Sequence, residues 1–410
     1  MKIAILFENS KTEELGIKST AEQLGIDLSF IPFRKVAICL NETGYSFRTR
    51  GKNFSKVIDD CEVVLNRAQS KNRRLYAATI LEAFGKYVIN PLSIEAVCFS
   101  KFKTVLRFWK EGIKTPKTVY IPCNVKEFKT DGSKINNEKD ICDLIQQDLM
   151  SGGIVVKPDS GSHGNKVLLA KKQEELIPIL RESETSIINP IGILAQTFVQ
   201  KWFYDLRIIV AKESGRPPYC YQKALARAGY KDFRTNTYLG NLAFGVTLPT
   251  CVMENAIKCC NTIGGNSKAW IIALDAMPDI GNDKIADDQY VKKELDKLRP
   301  SFNAIKKIKS EKSKEKNFVD WNKRLENAFE HYKNQRAYKK IQTLVEESLE
   351  RNRYNVLFHE ANSCPEFWEQ TRLIAGVNLA VPLLKCAQSV VETKDEQLYE
   401  YRKYTSARMS

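Results

Sequence analysis

The stretch VLFHEANSCP, Val356 to Pro365, ends an apolar run in a carboxylate and an amide two positions apart. In an extended chain alternate side chains share a face, so Glu360 and Asn362 project to one side. A second stretch, WIIALDA from Trp270 to Ala276, also carries an acid, Asp275, toward the end of an apolar strand. Charged groups that end buried strands are costly unless they are paired. Two carboxylates and an amide oxygen are hard donors, suited to Mg²⁺ bridging nucleotide phosphates. Strand ends closed by salt bridges are the alternative reading of the same residues.

Upstream, VVKPDSGSHGNKVLL, Val155 to Leu169, places a glycine-rich tip between two strands. Small residues at a hairpin tip let backbone amides approach an anion closely. Lys157 lies on the incoming strand, and a lysine with such a loop is a phosphate-binding arrangement. It is not a P-loop, because GxxxxGK[ST] is absent. Taken alone, the stretch reads first as an ordinary tight hairpin, since glycine is the default turn residue. Between these segments, DLRIIVAK and LARAGYKDFRTN supply Asp205, Arg207, Arg227, Arg234 and Asn236. Asp205 and Arg207 alternate onto one strand face. The guanidinium fork binds carboxylate or phosphoryl groups bidentately.

The 410 residues suit two or three lobes. With 43% apolar and 28% charged residues, the composition excludes a wholly disordered chain. No apolar run is long enough for a membrane span, and MKIAILFENS reads as a first strand rather than a signal peptide. Eleven cysteines form no CxxC pair, which points to reduced thiols in a cytoplasmic protein. The net charge of +15 favours anionic partners, yet no nucleic-acid recognition motif accompanies it.

Strand and helix signals alternate over residues 1–92 and predict a small α/β domain with a parallel sheet. Residues 93–200 begin with one helix over Ser93–Gly112 and contain the glycine hairpin. Residues 201–392 carry long strands, and residues 393–410 form a polar tail. Within the last lobe, about 283–352, lies a block with 18 Lys/Arg against 13 Asp/Glu. Its apolar residues recur at helical spacing. The expectation is a helical hairpin projecting from the lobe, with a mobile link at Lys306–Lys316 and its charge exposed. It either decorates the body or docks an acidic partner.

In chain order, Lys101, Lys157, SGSHG, AQTFV, Asp205-x-Arg207, Arg227, FRTN, Asp275 and Glu360-x-Asn362 resemble the ATP-grasp carboxylate–amine ligases, and within them the RimK-type ligases. VLNRAQS, with Arg67, is similar to that family's N-terminal arginine strand. The resemblance covers most of the chain outside 283–352. It implies an α/β (α+β) ATP-grasp fold with an N-terminal pre-ATP-grasp domain, here with an inserted helical segment. It implies ATP and Mg²⁺ as cofactors, with Mn²⁺ as a substitute. Lys101 and Lys157 would contact phosphates, with the loop Gly161, Ser162, His163 and Gly164 closing over them. Gln196, Phe198 and Val199 would lie by the adenine, and Asp275, Glu360 and Asn362 would hold the metal. Arg227 would steady an acyl phosphate, and Arg207, Arg67, Arg234 and Asn236 would meet substrate carboxylates or the phosphoryl group.

Two positions depart from the pattern. Thr197 replaces a common acid beside the hinge, and Pro365-Glu366-Phe367 lacks the usual glycine. The implied activity is ATP-dependent amide-bond formation between an amino acid and an amino-acid, peptide or protein acceptor, acidic acceptors included, with no membrane partner. Association into a homo-oligomer stays open. A non-catalytic ATP-binding regulatory module and a basic nucleic-acid-binding protein are the rival readings.

Overall fold

The computed structural model describes residues 3–406 except 10–11, 43, 123–128, 134–137, 150–151, 162–163, 165, 184–191, 236, 238–239 and 312–314. The N-terminal sheet is parallel, in the order β2-β1-β3-β4, from β1 (Ile3–Phe7), β2 (Leu28–Pro32), β3 (Val63–Arg67) and β4 (Tyr87–Ile89). Ile3 and Ile5 face one core and Ala4 and Leu6 another. Burial on both faces explains why β1 is an unbroken apolar run. Helix α1 (Thr12–Gln23) follows β1, and α2 (Lys71–Ala83) follows β3.

The expected single helix over Ser93–Gly112 is two helices, Leu92–Phe99 and α3 (Lys101–Lys110). The break is at Ser100, which is extended and caps α3 by accepting from Lys103 N at 3.0 Å. Lys101 therefore opens a helix rather than sitting inside one.

The central sheet runs β7-β6-β8-β5 and is antiparallel. Its strands are β5 (Thr118–Ile121), β6 (Ile154–Pro158), β7 (Leu168–Ala170) and β8 (Ile193–Thr197). The third sheet is also antiparallel, in the order β11-β10-β9-β12-β13. Its strands are β9 (Tyr204–Lys212), β10 (Lys223–Ala228), β11 (Leu242–Thr247), β12 (Trp270–Pro278) and β13 (Val356–Asn362). Strand β11 has no counterpart in the sequence reading, and a two-residue strand, Tyr219–Cys220, pairs β9 off the main order.

The insertion does not project. Its helices α4 (Asp288–Ser310), α5 (Phe318–Lys333) and α6 (Arg336–Arg351) join the same core as the third sheet. Strand β11 is a sheet edge, and edge amides need partners. Side chains of α6 supply them. Tyr338 Oη accepts from Gly245 N at 2.9 Å, Glu346 accepts from Thr247 N at 2.8 Å, and Gln342 donates to Gly245 O. Tyr332 of α5 donates to Ala243 O at 3.1 Å. Of the expected mobile link at Lys306–Lys316, the part up to Ser310 is the end of α4, and residues 312–314 lie outside the described residues. No helix among the described residues is long and apolar enough to cross a membrane.

Candidate active site

The antiparallel register lines up acids and bases across three strands. Arg207 of β9 stands opposite Asp275 of β12, and Asp275 opposite Glu360 of β13. On the other side of β9, Asp205 stands opposite Arg227 of β10. Directly opposed residues on one sheet face are close enough to pair. Arg207 holds Asp275 with two bonds, Nε to Oδ1 at 3.0 Å and Nη2 to Oδ2 at 3.1 Å. Arg227 Nε donates to Asp205 Oδ1 at 2.6 Å, and its Nη2 lies 3.3 Å from Asp275 Oδ2. Burial opposes ionisation of Asp275, but the Arg207 and Arg227 guanidiniums overcome it and hold the carboxyl well below the usual range.

Glu360 meets ammonium groups from two other parts of the chain. Lys101 Nζ is 3.9 Å from its Oε1 and Lys71 Nζ is 4.0 Å away. Burial opposes its charge, and Lys101 and Lys71 outweigh that, so its pKa lies below the ordinary value. Lys157 is buried on β6, and desolvation lowers its ammonium to about 8, with Glu360 opposing the fall. Lys101 is positioned by Asp159, which accepts from Phe102 N at 2.7 Å and from Ser100 Oγ at 2.9 Å. Lys101 Nζ also donates to Gly161 O at 3.4 Å, which ties the lysine to the start of the glycine loop.

These groups line one cleft of about 1040 Å³. That volume is at the upper end of small-molecule sites and leaves room for a nucleotide and a second substrate. Gln196, Thr197, Phe198 and Val199 line it. Gln196 Nε2 donates to Thr118 Oγ1 at 2.9 Å. The amide of Phe198 is committed to Gly153 O at 3.0 Å, so its carbonyl is the backbone group left to a ligand. Arg234 is gripped by Asp232 and donates to Gly164 O at 2.9 Å, bracing the far side of the loop. Arg67 is buried, donates to Pro365 O at 3.3 Å, and its Nε has no hydrogen-bond partner among the described residues. Ser162, His163 and Asn236 lie outside the described residues.

Asp275, Glu360 and Asn362 supply oxygen donors only. Among the described residues no three His, Cys, Asp or Glu side chains converge on a metal position. Asn362 Oδ1 accepts from Cys364 N at 3.0 Å and keeps a second lone pair. Two carboxylates and an amide, completed by phosphate oxygens and water, fit Mg²⁺.

Several site residues escaped the sequence reading. Lys71 is the first residue of α2, and only the packing of the N-terminal sheet brings it to Glu360. Lys201 reaches Asp205 Oδ2 at 3.5 Å and donates to Thr235 Oγ1 at 2.7 Å, an i,i+4 relation that is visible in sequence. His359 sits at a bulge: Asp275 pairs with Glu360, while Ala276 pairs with Phe358. The extra residue puts His359 on the cleft wall beside Glu360. Desolvation, reinforced by Lys157, lowers its imidazole to about 4, so the ring is neutral.

Residues 101–277 match the model of the RimK-like ATP-grasp domain. The α-aminoadipate–LysW ligase LysX of Sulfurisphaera tokodaii is 25% identical over 280 residues, covering 68% of this chain and 86% of the relative. The coenzyme γ-F420-2:α-L-glutamate ligase of Methanocaldococcus jannaschii is 27% identical over 202 residues, covering 48% and 60%. The D-alanine–D-alanine ligase from Coxiella burnetii shares the fold with a TM-score of 0.50 at 12% identity, covering 99% of both chains. ATP-grasp ligases use ATP and Mg²⁺, and the matched segment runs from Lys101 at the head of α3 to the strand that carries Asp275. The chain therefore carries a RimK-like ATP-grasp domain and is an ATP-grasp ligase of the carboxylate–amine type.

Proposed function

We propose that this ligase joins an amino acid to an amino-acid, peptide or protein acceptor through an acyl phosphate. A carboxylate oxygen of the donor attacks the γ-phosphorus and ADP leaves. The acceptor's amine nitrogen then attacks the acyl carbon, phosphate leaves, and an amide remains. The observation that carries the reading is the row Arg207–Asp275–Glu360, faced by Lys71, Lys101 and Lys157 in one cleft.

The residues take these parts. Lys101 and Lys157 hold the nucleotide phosphates, and Gly161 to Gly164 close over them. Asp275, Glu360 and Asn362 would hold Mg²⁺, which would supply positive charge to the transferring phosphoryl group. Arg227, held by Asp205, stabilises charge developing on the acyl phosphate. Arg207 assists it, and Arg67, Arg234 and Asn236 meet the substrate. Gln196, Phe198 and Val199 flank the base. In this reading the chain forms three lobes, 1–92, 93–200 and 201–392, with the cleft between them, and the last helix, Ala380–Ser406, runs on into 393–410. The relatives' names place α-aminoadipate on LysW, and glutamate on coenzyme F420, within the same chemistry. The site is a cytoplasmic one, where ATP is available.

The test uses ATP, Mg²⁺, pooled amino acids and peptides, with hydroxylamine to trap the acyl phosphate as a hydroxamate. Phosphate release that depends on the pool, with trapped hydroxamate, is the expected result. ATP binding with no phosphate release on any pool would instead mark a regulatory ATP-binding module.

A further inference from the structure

The insertion forms part of the cleft. Phe302, Ile305, Lys306 and Lys309 of α4 line it, as does Arg234. The insertion also holds the segment that follows the metal strand. Trp368 Nε1 donates to Asn322 Oδ1 at 2.9 Å, and Arg372 donates to Asn322 Oδ1 and Glu326 Oε1, each at 2.6 Å. Lys309 pairs with Glu369. Glu366, Phe367, Glu369 and Gln370 of that segment line the same cleft. One end of the cavity is thus built by residues between Asp275 and Glu360 in sequence, on a scaffold that the strands alone do not provide.

At the rim of this end two ammonium groups converge. A Cβ placed on Gly240 would lie 3.6 Å from Lys231 Nζ and 3.7 Å from Lys306 Nζ. Neither lysine has a hydrogen-bond or ion-pair partner among the described residues. Burial and the neighbouring Lys231, Lys309 and Arg299 all lower the Lys306 ammonium, and no acid offsets them. Its Nζ stands 5.4 Å over the Phe302 ring. Like charges held together without a counter-ion are unfavourable in the free protein and favourable once an anion arrives.

We infer that the inserted helix α4 is an acceptor-recognition element: Phe302 and Ile305 form an apolar wall, and Lys306 with Lys231 forms a subsite for carboxylates of an acidic peptide acceptor. This rests on the ligase reading for the word acceptor, but the binding itself needs no turnover. It also explains why the insertion is packed into the core. A recognition wall must be rigid to discriminate, and a projecting hairpin would not be.

The experiment measures binding of fluorescein-labelled hexaglutamate to the full chain by anisotropy at low salt, with hexaglutamine as control. Hexaglutamate should bind at least about tenfold more tightly. The double variant Lys231→Ala/Lys306→Ala should lose about tenfold in hexaglutamate affinity, keep its ATP affinity by calorimetry, and show a flatter salt dependence. Lys306→Arg should retain binding. Parental hexaglutamate affinity in the double variant overturns the inference, as does equal binding of hexaglutamine by the parent. Loss of ATP affinity in the double variant assigns the pair to nucleotide phosphates and overturns it too. Tighter binding of oligo(dT) than of hexaglutamate assigns it to nucleic acid, with the same consequence. A chain that binds hexaglutamate through these lysines yet forms no acyl phosphate would sink the ligase reading alone.

Discussion

Asp275 and Glu360 face each other across β12 and β13, although the whole helical insertion separates them in sequence. Antiparallel pairing brings two carboxylates together that would repel if unaccompanied. The chain counters them with Arg207 and Arg227 on one side and Lys71 and Lys101 on the other. A divalent cation would take over part of that role.

Glu360→Gln keeps the shape of the side chain and removes an anionic donor. Turnover should fall by at least about a hundredfold, with unchanged thermal unfolding, because loss of a hard ligand weakens the metal rather than the sheet. Steady-state phosphate release across a Mg²⁺ titration checks this. Near-parental rates at limiting Mg²⁺ would remove Glu360 from the metal site.

ATP affinity should decline as pH rises past about 8. Burial lowers the Lys157 ammonium to about 8 in the free protein. Bound phosphates favour the charged form, so binding is strongest where the lysine is already protonated. Lys157→Arg should flatten the profile by keeping its charge, while Lys157→Ala should weaken binding at every pH. Calorimetric titrations from pH 6.5 to pH 9.5, about 1.5 units either side of that value, separate these outcomes.

Arg227 is held at 2.6 Å by Asp205, and Thr235 and Lys201 converge on the same carboxylate. Asp205→Asn should therefore act through Arg227. The expected loss is about tenfold to a hundredfold in kcat with little change in the KM for ATP. A matching rise in that KM instead would place Arg227 on the ground-state nucleotide.

Burial, with the charges of Glu366 and Glu14, raises the Glu13 carboxyl to about 7, and Arg67 opposes the rise. A carboxyl raised above its unfolded value of 4.5 costs stability as pH climbs from that value through the folded one. Below pH 4.5 the cost is absent. Glu13→Gln should thus be more stable than the parent at pH 8, by on the order of 1–3 kcal/mol, and no different at pH 4. Denaturant midpoints at the two pH values decide it.

Gly16 on α1 lies against the Trp368 indole, and a Cβ there would come within 2.1 Å of the ring. Gly16→Ala should push Trp368 away from Asn322 and cost about 1–3 kcal/mol. Tryptophan fluorescence and the unfolding midpoint report the two effects, and an unchanged midpoint would mean that the ring moves freely.

Several of the residues that line the cleft could be singled out as candidates in the sequence because their chemistry is local. A carboxylate at the end of an apolar strand, Asp275, or an acid and amide two apart, Glu360 and Asn362, carry their meaning in spacing of period two. Lys157 beside a glycine tip does the same, and so does the apolar run of β1. What the sequence could not show is distance. Lys71 opens helix α2 of the N-terminal domain while Glu360 lies on β13, and only the packing of that domain against the third sheet brings its ammonium to that carboxylate. His359 reads as facing away from Glu360 until the bulge at Ala276 changes the register. The insertion shows the limit most plainly. Helical periodicity predicts its helices, since amphipathic spacing is a property of the segment itself. Whether the apolar stripe covers another helix or a sheet edge is a property of the partner. Here the partner is β11, a strand that the sequence reading did not contain, and its unpaired edge amides are what draw α6 onto the body and set α4 against the cleft.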